Sequence, residues 1–197
     1  MKVVLASANP GKQREFAALL GPRGLELVPQ SQLHIDSIAE TGHTFEDNAL
    51  LKARHAAARS GLPALADDSG LEVDALGGRP GVWSARFAGP EASDEDNNRQ
   101  LLLELAERPG EPRTARYRCV LALLHSADDP RPLLAHGSWE GRIGLSPAGS
   151  GGFGYDPYFI PAGFECTAAE LSAVQKNALS HRGVALRDLI ARLATWA

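Results

Sequence analysis

No apolar run in this chain approaches the roughly 18 residues that a membrane-crossing helix needs, and Lys2 is followed by too few apolar positions for a secretion signal. A soluble, unexported, cytoplasmic protein is expected. Cysteine is scarce. Cys119 lies in an apolar stretch and Cys166 in a loop-like one, with neither zinc spacing nor the density of a disulfide framework, which fits a reducing compartment. Positive charge is not in excess either: Lys and Arg number 20 against 24 Asp and Glu, for a formal charge of −4, and the basic residues are scattered. No basic field exists to hold a polynucleotide backbone, so polymeric DNA or RNA is a poor substrate. Disorder is excluded by 44% hydrophobic against 22% charged residues. At 197 residues the chain suits one sizeable domain or two small lobes.

What is present begins with an apolar strand pattern over residues 2–6, followed by a helical pattern over 11–20 with Phe16, Leu19 and Leu20 on one side. The link is Ser7-Ala8-Asn9-Pro10-Gly11-Lys12. A strand, a small-residue loop and a helix start with a lysine make an anion site in principle, because free helix N–H groups and an ammonium face the same way. The spacing is not that of a P-loop, and a tight strand-to-helix turn explains the loop as well. A second strand over 25–28 leads to a polar loop with Glu40, Thr41 and Gly42. Thr44 and Asp47 resemble a capping box opening a helix that carries Asn48 and Lys52, four apart and so on one face.

Ala64, Leu65 and Ala66 read as the end of a short buried strand, with Asp67, Asp68, Ser69 and Gly70 as the turn that follows. Charge at a strand's C-terminal edge is where open α/β sheets bind ligands, and carboxylates there suit a hard cation; a plain surface turn is the alternative. Residues 77–89 form a loop rich in Gly and Pro. Ser93 and Asp96 cap a helix whose Leu101, Leu102 and Leu105 face a core, and nothing in it suggests chemistry. Residues 114–126 and 133–143 read as two long antiparallel strands. Residues 147–157, Pro-Ala-Gly-Ser-Gly-Gly-Phe-Gly-Tyr-Asp-Pro, are the richest glycine loop, where backbone can approach a ligand and Phe153 or Tyr155 can stack a base. Thr167 and Glu170 read as the capping box of a short helix. The last helix, 180–194, places His181 and Arg182 in its first turn, where positive charge opposes the helix dipole unless a partner compensates.

Taken in order, Ser7 to Lys12, Glu40-Thr41-Gly42, residues 44–53, Ala66 to Leu71, Gly81 to Gly89, Gly151 to Pro157 and Ser180-His181-Arg182-Gly183 resemble the inosine triphosphate pyrophosphatase family, the RdgB-like dITP/XTP pyrophosphatases. The likeness spans nearly the whole chain. One departure is Ser-Ala-Asn in the first loop, where the family commonly has Thr-Gly-Asn. The resemblance implies an α/β fold over residues 1–197, two-lobed, with a long central mixed β-sheet flanked by helices and a nucleotide cleft between the lobes, assembled as a homodimer. It implies Mg2+-dependent hydrolysis of ITP, dITP and XTP to the monophosphate and pyrophosphate, which clears deaminated purines from the nucleotide pool.

The resemblance also distributes roles. Asp68 is the expected general base, and Glu40 and Asp68 share Mg2+. Ser7, Ala8, Asn9, Pro10, Gly11 and Lys12 hold the triphosphate, with Lys52 as a further candidate, and Ser69 contacts the nucleotide beside the metal. Asp67 is expected to point elsewhere on an extended backbone and to support the site indirectly. At the base end, Lys176, His181 and Arg182 are donors suited to keto oxygens, Phe153, Gly154 and Tyr155 line the ring, and Asp156 fixes the polar contacts. Two rivals stay open: a pyrophosphatase for other triphosphates, and a non-catalytic nucleotide sensor.

Overall fold

In the computed structural model, which describes residues 1–194 and 196, strand β1 (Lys2–Leu5) is the hub of the first half. Val3, Val4 and Leu5 are all buried, as a strand covered on both faces requires. Helix α1 (Pro10–Leu20) returns to the parallel strand β2 (Glu26–Pro29), and α2 (Phe45–Ser60) returns to β3 (Ala64–Val73), parallel to β1 on its other side. The two crossovers move in opposite directions along the sheet, so their right-handedness puts α1 and α2 on opposite faces. Then come α3 (Asp94–Ala106), the long strands β4 (Thr114–Leu124) and β5 (Leu133–Ile143), a short β6 (Phe159–Pro161), α4 (Ala173–Leu179) and α5 (His181–Leu193). The sheet order is β2-β1-β3-β4-β5-β6, with β6 antiparallel to β5. The result is a mixed six-stranded sheet flanked by helices, the α/β class expected above.

The chain divides into two compact units: one of residues 1–68, 119–136 and 184–197, the other of 69–118 and 137–183. In the first, Val3, Leu5, Leu65, Leu121 and Leu123 pack with Phe16 and Leu20 of α1 and Leu186 and Leu189 of α5. In the second, Leu71, Val73, Tyr117, Trp139 and Phe159 pack with Leu101 and Leu105 of α3.

Two expectations are corrected. The strand does not end at Ala66: β3 runs on through Asp67, Asp68, Ser69 and Gly70 to Val73. Its pairing with β1 stops at Leu65, closed by the Ala6 N–H to Leu65 carbonyl bond, but β4 continues on the other side and keeps the backbone extended. The acids therefore stand just past the end of β1, on a strand and not in a turn. The Thr167–Glu170 pair makes half of a box, Glu170 Oε2 accepting the Thr167 N–H at 2.7 Å while the Glu170 N–H goes to the Thr167 carbonyl, and it starts only a turn. The Thr167 hydroxyl donates to Ala148 at 2.8 Å, and a second box, Ser172 with Gln175, opens α4.

Candidate active site

The first unit gathers the acids. Asn9 caps α1, its Oδ1 accepting the N–H groups of Gly11 at 2.8 Å and Lys12 at 3.1 Å, and Pro10 occupies the first turn, where a missing N–H costs nothing. Ser7 Oγ accepts the Asn9 N–H at 3.3 Å, while Ala8, Asn9 and Pro10 are exposed. This capped start aims Lys12 at β3, where its Nζ lies 2.8 Å from Asp67, a carboxylate only 1% exposed. Successive residues of a strand point to opposite faces, so Asp68 turns away from α1 and toward α2. There Lys52 Nζ lies 3.0 Å from Asp68 and 2.5 Å from Glu40. Carboxylates 28 positions apart in sequence (68 − 40) thus converge on one cation.

Asn48 ties the group together. Wholly buried, it donates to Asp68 Oδ2 at 3.2 Å and accepts the Gly42 N–H at 2.8 Å, fixing the loop that carries Glu40. A side chain on Gly42 would strike Asp47 and Asn48 atoms at 2.5 and 2.7 Å, so the glycine is needed for this approach. Glu40, Asp67 and Asp68 thus meet two ammonium groups, Lys12 and Lys52. The consequences run as electrostatics demands. Burial pushes the Asp68 carboxyl above its ordinary value, Lys52 opposing and Glu40 adding. For Lys52, burial works downward, but Asp68, Asp67 and Glu40 together outweigh it and raise its pKa.

The second unit gathers the base-end candidates. Asp156 and Lys176, 3% and 8% exposed, form a buried pair at 2.6 Å, and Asp156 Oδ2 also accepts the Phe153 N–H at 2.8 Å. The Lys176 ammonium lies 4.9 Å and the Arg182 guanidinium 5.8 Å from the Phe153 ring centre, distances at which the ring's electron-rich face attracts them. Arg182 Nη2 donates to Ser69 Oγ at 3.0 Å. His181 stacks on Tyr117, ring centres 4.7 Å apart and 11° from parallel. Of the two rings expected to hold a base, Phe153 is part-exposed beside the cations. Tyr155 is buried in the core and donates its hydroxyl to Ser84 at 2.8 Å.

With this geometry in place, the chain's likeness to known proteins is informative. The profile of the Ham1 family matches residues 3–192. A relative from Pectobacterium atrosepticum named dITP/XTP pyrophosphatase is 58% identical over 189 residues, covering 96% of each chain. This chain belongs to the Ham1 family. Among solved structures, the HAM1 protein of Coxiella burnetii superposes with a TM-score of 0.93 at 46% identity over 99% of each chain, and the Staphylococcus aureus Ham1 protein with 0.87 at 39% over the full length of both.

Sequence reasoning about this Ham1 chain passed over several groups that shape both clusters. Asn48 shares a helix face with Lys52 by spacing, yet its two hydrogen bonds, from the Gly42 N–H and to Asp68, have no sequence signature. Tyr117 lay unremarked within the 114–126 strand pattern, and only the packing of α5 against β4 brings His181 onto it. Asn97 holds the 81–89 loop, donating to Ala85 at 3.2 Å and accepting the Ala88 N–H at 2.9 Å. Two asparagines at buried positions of an otherwise leucine-faced helix were the available signal.

Proposed function

We propose that this Ham1-family chain hydrolyses dITP, ITP and XTP to the nucleoside monophosphate and pyrophosphate, removing deaminated purines from the nucleotide pool. The observation that carries the reading is the convergence of Glu40 and Asp68 on the Lys52 ammonium beside Lys12 and Asp67. Relatives named dITP/XTP pyrophosphatase at 54–58% identity support it.

Attack at the α-phosphorus needs a positioned water that loses a proton while charge spreads over the leaving pyrophosphate. Asp68 takes that proton. A carboxyl pushed upward by burial is a stronger base than an exposed one, and Asn48 orients it. Lys12 and Lys52, with the α1 start built by Ser7, Ala8, Asn9, Pro10 and Gly11, bind the phosphate oxygens. Mg2+ fits the donor set, because Glu40 and Asp68 already share one cation, the Lys52 ammonium. Among the described residues no group of three or more His, Cys, Asp or Glu is arranged to hold a metal ion, so these two carboxylates are the protein donors proposed for it. Held by Glu40 and Asp68, the ion would polarise phosphate and neutralise leaving-group charge.

The base is read in the second unit. Phe153 stacks the ring, and Lys176, His181 and Arg182 donate to keto oxygens, with Asp156 holding Lys176 in place and Ser69 holding Arg182. Adenine's 6-amino group would face donors with another donor, at roughly 1–3 kcal/mol per buried mismatch. We infer the same homodimeric, cytoplasmic setting that the resemblance implies; sedimentation velocity reading a monomer at micromolar concentration would overturn the dimer. Among the described residues no helix is long and apolar enough to cross a membrane.

The test is pyrophosphate release across dITP, ITP, XTP, dTTP, GTP and ATP, with Mg2+ and with a chelator. Release from the 6-keto deaminated purines well above ATP, abolished by chelation, is expected. Equal turnover of ATP and ITP removes the keto reading, and tight ITP binding without pyrophosphate favours a sensor.

A further inference from the structure

Helix α3 contributes no group to either cluster above, yet two residues of its first turns are spent on a single residue of the glycine loop, Gly154. Asp94 Oδ2 accepts the Gly154 N–H at 2.6 Å, and Asn98 Nδ2 donates to the Gly154 carbonyl at 2.8 Å. The same Nδ2 donates to the Asp94 carbonyl at 2.8 Å, which holds the Asn98 amide against its own helix. Asn98 is 6% exposed and its two bonds are partly buried, whereas Asp94 is exposed; a strong helix former would serve α3 itself better than asparagine does.

What the clamp governs follows from the loop's conformation. Phe153 stands between Gly152 and Gly154, whose φ angles of +78° and +63° are left-handed. Glycine reaches that region freely but does not prefer it, so local sterics leave the ring's placement undetermined. On one side Asp156 Oδ2 takes the Phe153 N–H. On the other, α3 takes both polar atoms of the Gly154 residue.

We propose that Asn98 and Asp94 are positioning residues for base recognition: by clamping Gly154 they set the Phe153 ring, and through it the affinity and selectivity for the purine. The proposal rests on the assignment of the base to the second unit made above. Neither residue touches the phosphate-binding groups, so the two ends of the substrate separate its consequences.

Asn98→Leu keeps the volume and removes the donors. Asp94→Ala, at an exposed position, removes the acceptor without threatening the core, and Asp94→Asn restores an acceptor. In Asn98→Leu and Asp94→Ala, KM for ITP and Kd for inosine monophosphate should both rise about three- to tenfold, the range for one or two lost hydrogen bonds. With kcat within about twofold, the inhibition constant of inorganic tripolyphosphate should stay unchanged and the ITP-to-ATP preference should fall, while Asp94→Asn returns toward the parent values. If Asn98→Leu does not fold, the Asp94 pair must show this pattern alone. The proposal is overturned if inosine monophosphate binding is unaltered in the folded variants, or if tripolyphosphate and inosine monophosphate weaken in parallel. The parent enzyme is the control for the underlying assignment: without an ITP-over-ATP preference there, the base-reading assignment fails and the clamp with it. With that preference present, a silent Asp94→Ala removes the clamp alone.

Discussion

Asp68 shows how much one side chain depends on its surroundings. Buried, opposed by Glu40 and only partly relieved by Lys52, it holds its proton above the ordinary carboxylate range, which makes it a useful base and an uncomfortable ion. Asp68→Asn keeps the shape and the Asn48 contact but cannot accept a proton. Turnover of ITP should fall about 100- to 10,000-fold, with an unaltered circular dichroism spectrum. Near-normal kcat would place the base elsewhere. The Asp156–Lys176 pair behaves differently, because both groups are almost wholly buried. Asp156→Ala leaves an ammonium in the protein interior, and about 3 kcal/mol of stability should be lost, read as a lower urea midpoint at constant slope. Lys52 illustrates the limit of sequence reading at this scale: spacing put it on the face of Asn48, but a helix lysine in solvent has the same spacing.

Among the elements, the glycine loop and the link between β4 and β5 make opposite uses of polar groups. In the loop, a side chain on Gly152 would meet Asp156 Oδ2 at 2.1 Å, at a φ of +78° that alanine resists. Gly152→Ala should therefore raise KM for ITP and lower stability by about 1–3 kcal/mol, measured together by steady-state kinetics and thermal unfolding. In the link, buried Asp129 accepts the N–H groups of His125 and Arg131, each at 2.9 Å. Burial opposes ionisation, but the two amides win and the carboxyl lies below its ordinary value. A depressed carboxylate stabilises the fold above its unfolded pKa, and the benefit disappears as pH falls through the folded one. Asp129→Ala should thus melt lower than the parent at pH 7, and the gap should close below about pH 4; a gap independent of pH would count against the charge. Element starts such as Ser93 with Asp96 were legible because capping is local chemistry. The Thr167 box misled because its hydroxyl found a distant carbonyl, Ala148, which no local rule contains.

For the whole molecule, the sheet order β2-β1-β3 decides where chemistry can stand. β1 ends while β3 continues, so the acids of β3 occupy an edge flanked by the start of α1 and a face of α2. At this scale the meeting of Glu40 and Asp68 on one cation yields a further test. Without nucleotide, Mg2+ should raise the melting temperature of the parent protein, since binding only the folded state stabilises it. It should do so far less in a Glu40→Gln, Asp68→Asn double variant. Equal shifts in both would show that the ion binds elsewhere.

By itself the chain's order of residues determined the α/β class, the capped helices and the scarcity of basic charge, because these follow from periodicity, composition and short-range hydrogen bonding; the family blocks were legible only by their resemblance to a known family. Only the tertiary structure decided that β3 runs through Asp67 and Asp68, that Glu40 reaches Lys52, that Tyr155 belongs to the core while Phe153 stays part-exposed, and that α3 grips Gly154. Each of these is a contact between segments far apart in sequence, set by which strands pair and which faces are covered, and no window of neighbouring residues carries that information.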